Sequence, residues 1–236
     1  MLIVLFNWLY IFLTTACLGY AFSNVIERKL HYKITGVHHF SAIGLVIATV
    51  YVQIFSIFYQ VGLAANLVLV LVCVGIVIRF RQQIKVAVKS YGRQFLSIKG
   101  VLLAALILLW AYFTSRGIIH YDTDLYHAQS IRWIEEYGVV PGLGNLQVRF
   151  AYNSSVFALS ALYSMKFLLG QSFHTISGFF ALLLSISALD IMESWQEKRF
   201  RLSDFARIAA IYYLTMIIDE VVSPASDYVY HILSCD

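Results

Sequence analysis

The chain has 236 residues, 60% of them hydrophobic and 13% charged, with a formal net charge of +4 and a mean hydropathy of +0.75. A soluble domain of this size needs more charge to cover its surface, so the composition describes a polytopic membrane protein whose architecture the bilayer sets. Lysines and arginines gather in the loops between apolar runs rather than among base-stacking aromatics, which argues against a nucleic-acid partner.

A helix needs about 20 apolar residues to cross the hydrocarbon core. The first such run, at about 2–24, has no basic leader and exceeds a signal-peptide apolar segment, so it is expected to be a retained transmembrane helix. Further spans are expected at about 40–60, 62–80, 99–116, 152–169, 173–193 and 204–222, giving an all-α fold of about seven hydrophobic helices. Residues 1–98 form an N-terminal group of spans with basic loops, and 99–236 a second region built around the loop at 116–152. Cys17 and Cys73 lie inside apolar runs and Cys235 is next to last. Scattered in this way they form neither a disulfide framework nor a metal cluster, and they read as small packing residues. His38 and His39 begin a span without ligand partners at useful spacing.

Two basic segments fix the orientation. ERKLHYK follows the first span, and Arg81, Lys85 and Lys89 follow the third at four-residue spacing, on one face of an amphipathic helix. Both are expected on the cytoplasmic side, which puts the 116–152 loop outside. The second half threads less simply. If 152–169 and 173–193 both cross, the basic stretch EKRFR at 197–201 also ends outside. The favoured alternative makes one of those segments short, broken or re-entrant, which also places SPASD (223–227) outside. Asn153, Ser154, Ser155 and Lys166 weaken the first segment and Asp190 the second. Lys166 is expected to snorkel; Asp190, near Glu193 and Lys198, reads as an interfacial acid, as do Asp219 and Glu220. The Asn153–Ser155 triplet matches a glycosylation acceptor but stands too close to lipid to be modified readily.

The external loop begins YDTDLYH, directly after a hydrophobic run. A helix is expected from Thr123 to Tyr137, with Tyr126, Ser130, Trp133 and Tyr137 on one stripe and His127, Ile131 and Ile134 on the next. Such a helix suits the membrane–water interface. Gly138 ends it, and the connector VVPGLGNLQVRF follows. Asp122 and Asp124 stand where acids cap a helix. One cap is enough, however, and here two acids stand beside His120, Tyr121 and His127. Read as chemistry, one carboxylate would act as general base while the other holds a divalent cation. Arg149 or Arg132 would bind phosphate, with His127 and Asn145 contacting substrate.

The run YDTDLYHAQSIRWIEEYGVVPGLGNLQVRFAYNSS resembles the first large external loop of a group of bacterial polytopic membrane proteins similar to the GT-C superfamily of membrane glycosyltransferases. In that class an aspartate follows a transmembrane helix directly, helices then lie along the membrane, and another span follows. The resemblance covers about 99–230. It implies a bacterial inner-membrane protein that takes a sugar from a polyprenyl-phosphate donor on the extracytoplasmic face. It also implies Asp122 and Asp124 as catalytic residues and a Mg or Mn ion held by Asp124 and Asp227. The DTD pair is not the adjacent acid pair of some subfamilies, and three spans precede the loop's own helix instead of none. The class also continues for further spans, so the segment ending HILSCD is expected to be part of a longer protein. An O-antigen-type polymerase or ligase, and a non-catalytic assembly or transport component, are the alternatives.

Overall fold

The computed structural model describes residues 1–85, 98–116 and 119–225. Every described secondary-structure element is helical: α1 (Leu2–Leu30), α2 (Val37–Phe58), α3 (Leu63–Arg79) and α4 (Ile98–Arg116) come first. A π turn (Thr123–His127) leads into α5 (Ala128–Tyr137). Then come α6 (Ser155–Tyr163), α7 (Lys166–Leu169), α8 (Ile176–Ala188), α9 (Ile191–Glu197) and α10 (Leu202–Met216). Of these, α1 and α2 are long and apolar enough to cross a membrane.

The α1–α2 pair is the tightest part of the bundle, because glycine lets the backbones meet. A Cβ on Gly19 would run into the Phe40 carbonyl, and one on Gly44 into the Thr15 carbonyl. Thr15 and Ser41 share a buried hydroxyl hydrogen bond of 2.7 Å at the same crossing. Small residues of this kind substitute van der Waals contact and hydrogen bonding for a hydrophobic drive that is absent between apolar helices in lipid. Along the α1–α3 contact, Tyr10 donates to Asn66 Oδ1 at 2.7 Å, and the Cys17 thiol lies 3.5 Å from the Cys73 carbonyl. Both cysteines are free and serve as packing residues, as expected.

The contacts define two ends. At one, His38 at the start of α2 lies 3.7 Å from Asp190, and Arg207 of α10 lies 3.7 Å from the same carboxylate oxygen. Asp190 therefore stands between the Arg207 guanidinium and the His38 ring at this end. The EKRFR stretch, Lys29, Arg79, Arg81 and Lys85 belong to this basic end; Arg81 and Lys85 are exposed, and Lys89 lies outside the described residues. At the other end sit the α2–α3 turn, the loop from 119 to 154, and the start of α8, where Trp8 Nε1 donates to the Thr175 carbonyl at 2.9 Å.

The 152–169 segment does not run from end to end. α6 has nine residues, about 13 Å at 1.5 Å per residue, against a hydrocarbon thickness of about 30 Å. Ser154 caps its start, accepting from Val156 N at 3.4 Å, so the Asn-Ser-Ser triplet is a helix entry. Its C-terminal carbonyls are taken by side chains from other helices: Asn66 donates to Leu162 at 3.1 Å and Asn7 to Tyr163. Met165 adopts a left-handed conformation (φ 58°), and Phe173 N donates back to the Ser164 carbonyl at 2.9 Å. The chain thus doubles back before α8, which runs antiparallel to α4: Gly178 fits against Thr114, and Trp110 Nε1 donates to Ser185 Oγ at 2.8 Å. The 152–169 segment is thus short and broken, one of the two forms the sequence leaves open.

Candidate functional site

The expected Thr123–Tyr137 helix is present, but its start differs from an ordinary cap. The Ala128 N–H bonds to the Thr123 carbonyl five residues back, making a wide π turn across TDLYH. Turns of this kind recur at functional sites. Neither aspartate caps it. The His120 imidazole Nδ1 accepts from the Asp122 N–H at 3.2 Å, and the His120 carbonyl accepts from Thr123 N at 2.9 Å. The capping role assigned to an aspartate therefore falls to His120, because Asp122 already has helical φ and ψ (−67°, −19°) and its side chain points elsewhere.

That side chain meets Arg149. Arg149 Nη1 donates to Asp122 Oδ1 at 3.2 Å, while Asp122 Oδ2 lies 3.9 Å from His120 Nδ1. The guanidinium also stacks over Tyr126, 5.5 Å from the ring centroid. Both members of the pair are partly exposed, so a ligand can reach them. The backbone N–H of His120 donates to Ser223 Oγ at 2.7 Å, and the Ser223 carbonyl accepts from Ser177 Oγ at 2.8 Å. Asp124 is exposed and makes no hydrogen bond or ion pair among the described residues.

The remaining expected residues divide. His127 is buried, with its ring 5.3 Å from Phe157 and 4.2 Å from Tyr126, so it packs the loop helix onto α6. Arg132 is exposed and donates to Glu136 at 3.0 Å one turn on, away from Asp122's partner. Tyr126 does not share an exposed stripe with Tyr137. It is buried among Tyr152, Phe157 and Arg149, and the buried face is Tyr126, His127, Ile131 and Ile134. Asp227 lies outside the described residues. Among the described residues no three His, Cys, Asp or Glu side chains converge in a way that could hold a metal ion.

Two features had weaker signals. Lys166 reaches back to the loop helix, bonding Glu136 at 2.7 Å and lying 3.4 Å from Glu135, whose buried carboxylate also accepts from Ser172 at 2.7 and 2.8 Å. Lys166 and Arg132 hold the Glu136 carboxyl below the usual carboxylate range. A lysine inside an apolar run facing an acid pair is the signal that could have joined them. The second is a cleft of about 360 Å³ between α5 and the connector, lined by Ser130, Trp133, Gly142, Asn145, Phe150 and Asn153 among others. Asn145 was expected to contact substrate, and it stands on this wall. The loop is pinned to the bundle below: Gly138 (φ 74°) has no room for a Cβ against the Ser56 carbonyl, and Val139 N donates to that carbonyl at 2.7 Å.

These observations define an all-helical protein with helices able to span a membrane and a built, polar loop at one end. The chain belongs to the family described as Domain of unknown function (DUF8201), which it matches over residues 1–235. No curated protein and no solved structure matches it.

Proposed function

We propose that this is a multi-pass protein of the bacterial inner membrane that transfers a sugar from a polyprenyl-phosphate donor on the extracytoplasmic face, in the manner of the GT-C glycosyltransferases. The reading rests on the Asp122–Arg149 pair: a carboxylate and a guanidinium 3.2 Å apart, both reachable, directly after a long apolar helix. Ser223 joins the described residues 223–225 to the start of this loop, and the reading assigns the second acidic residue to Asp227, which follows them in the sequence. α1, α2, α3, α4, α8 and α10 then cross the bilayer, while α5, α6 and α7 stay at the outer end. With α6 turned back, the basic EKRFR stretch lies on the same side as Lys29 and Arg79, in line with the positive-inside rule.

In the reaction, the acceptor hydroxyl oxygen attacks the anomeric carbon as its proton passes to the Asp122 carboxylate. The bond from that carbon to the phosphate oxygen breaks, and the polyprenyl phosphate leaves with the electron pair. Arg149 is drawn from Asp122 to the phosphate, where its planar fork offsets the added charge. This exchange frees Asp122 to accept the proton when donor is bound. Asp124 is the second, exposed carboxylate; Asp124 and Asp227 would hold a Mg or Mn ion, which would offset charge on the donor phosphate.

The test uses membranes carrying the full-length protein and radiolabelled hexosyl and pentosyl polyprenyl phosphates. Asp122→Asn is expected to abolish transfer of label to an endogenous acceptor. Full transfer by both Asp122→Asn and Asp124→Asn would sink the reading.

A further inference from the structure

The cleft beside the ion pair has a chemical character of its own. Its wall carries no charged side chain: it is made by Ser130, Trp133 and Ile134 of α5, the connector from Gly138 to Asn145, and Phe150, Ala151, Asn153 and Phe157. A phosphate or carboxylate would therefore enter it without a counter-charge, at a large desolvation cost. The wall is not simply apolar either. Two asparagine amides and a run of glycine-rich backbone line it, and Ser130 Oγ is buried without a hydrogen-bond partner. Such a hydroxyl is costly unless a ligand or water satisfies it. Trp133 adds a broad aromatic face next to these groups. At about 360 Å³ the space falls in the range of small-molecule sites, near its lower bound.

We infer that this cleft binds a neutral sugar ring, with Trp133 against the ring's C–H face and Ser130, Asn145 and Asn153 bonding its hydroxyls. An aromatic platform flanked by short amide and hydroxyl groups matches a molecule with one apolar face and a polar equator. It does not match a lipid tail, which would leave the amides and Ser130 unsatisfied. Neither Asp122 nor Arg149 lines the cleft, but the same elements carry both places: Arg149 precedes Phe150 and Ala151 in one 3₁₀ turn, and Asp122 leads into the loop helix that holds Ser130 and Trp133. The inference deepens the proposed transfer reaction by giving its sugar a seat and its phosphate a separate one at Arg149. It rests on that reading for its biological sense but not for its physical test.

The test is saturation-transfer NMR on the full chain in lipid nanodiscs, with methyl glucoside, galactoside, mannoside, rhamnoside and xyloside as neutral probes. Glucuronate, glucose 1-phosphate and decanoate are the charged and lipid-like controls. At least one neutral glycoside is expected to show saturation transfer to its ring protons, weakened about tenfold or more in affinity by Trp133→Ala and lost in Ser130→Phe, which fills the cleft. Thermal unfolding checks that both variants remain folded, and Asn145→Ala, at an exposed position, gives a second, milder loss. Silence from every neutral glycoside overturns the inference, as does a signal that survives both Trp133→Ala and Ser130→Phe, or binding by the controls alone. Asp122→Asn separates the two ideas. Retained glycoside binding with lost transfer supports both, and retained binding with full transfer in Asp122→Asn and in Asp124→Asn removes the catalytic role of the aspartates while leaving the sugar site standing. Loss of glycoside binding in Trp133→Ala is independent of either outcome.

Discussion

Ser223 Oγ accepts the backbone N–H of His120 at 2.7 Å, joining the last described segment of the chain to the residues that lead into the loop helix, 103 positions earlier. Ser223 is fully buried, and its own carbonyl is held by Ser177. Removing the hydroxyl leaves a part-buried N–H without its acceptor at the point where the π turn begins. Ser223→Ala is expected to cost about 1–3 kcal/mol, read as a lower thermal unfolding midpoint in detergent, while Ser223→Thr, which keeps the hydroxyl, recovers part of the loss. An unchanged midpoint in Ser223→Ala would mean that the segment is not anchored through this bond.

Asp122 and Arg149 are expected to matter far more for activity than for folding. Half-exposed ion pairs contribute about 0.2–1 kcal/mol, so Asp122→Asn and Arg149→Ala should each shift the unfolding midpoint only slightly. A general base contributes about 10²–10⁴ in rate, so Asp122→Asn should reduce glycosyl transfer by at least that lower factor. Arg149→Lys tests the planar fork: a point charge at the same place should leave folding unchanged but not give the full rate. Equal losses of stability and activity in both variants would assign the pair a structural role.

The loop helix was legible in the sequence down to its ends, because tyrosine, tryptophan and isoleucine recur at helical spacing and Gly138 stops them. The doubled-back α6 was legible as a conflict, since full crossings at 152–169 and 173–193 would have put EKRFR on the wrong side. What decided it was not local. Asn7 and Asn66, from two other helices, terminate α6 by bonding its carbonyls, and no pattern within 152–169 carries that information. The choice between Arg132 and Arg149 was hidden for the same reason. Arg132 finds Glu136 one turn away, whereas Arg149 reaches Asp122 only through the path of a glycine-rich connector. The cap eluded the sequence too, because His120 was read as part of a polar cluster and not as the acceptor for Asp122's own N–H.

The Glu135–Lys166 contact predicts an asymmetric response to mutation. Glu135 has a side chain only 2% exposed, with Lys166 3.4 Å away and Ser172 donating to both carboxylate oxygens. Lys166→Met removes the nearest cation from a buried charge and is expected to destabilise by about 1–3 kcal/mol. Adding Glu135→Gln in the same chain should recover much of that, since the buried charge goes as well. Glu136 adds a pH signature. Its carboxyl is held low by Lys166 and Arg132, so its contribution is present above the ordinary carboxylate value of 4.5 and is lost as the pH falls through the depressed folded value. Thermal unfolding from pH 7 down to pH 3 should show this loss in the native chain and a smaller one in Glu136→Gln.

Gly44 should be intolerant of any side chain. A Cβ there would overlap the Thr15 carbonyl, a backbone atom that cannot rotate aside. Gly44→Ala is expected to force α1 and α2 apart, at a cost of at least the roughly 1–3 kcal/mol of an overpacked core, seen as a fall in the yield of folded protein. Gly75, with nothing within 4 Å, serves as the control, and Gly75→Ala should leave the yield unchanged or raise it. A normal yield of Gly44→Ala would show that the two helices do not approach this closely.

The sidedness of the bundle can be read with single cysteines in a chain carrying Cys17→Ala, Cys73→Ala and Cys235→Ala. Lys33 and Arg199 are exposed residues that the folded chain assigns to the basic end, and Asn153 and Gln171 are exposed residues near the aspartate loop. With α6 doubling back, Asn153→Cys and Gln171→Cys must label from the same side with a membrane-impermeant maleimide, although a hydrophobic segment separates them. Lys33→Cys and Arg199→Cys should be protected in intact cells and react only after the membrane is opened. If α6 instead crossed the bilayer, Asn153→Cys and Gln171→Cys would label from opposite sides. The positive charges of EKRFR and ERKLHYK would then face opposite compartments, against the bias that orients membrane helices. The pair at 153 and 171 therefore tests the turn at Met165 directly, and with it the argument that brings Ser223 to the same face as Asp122.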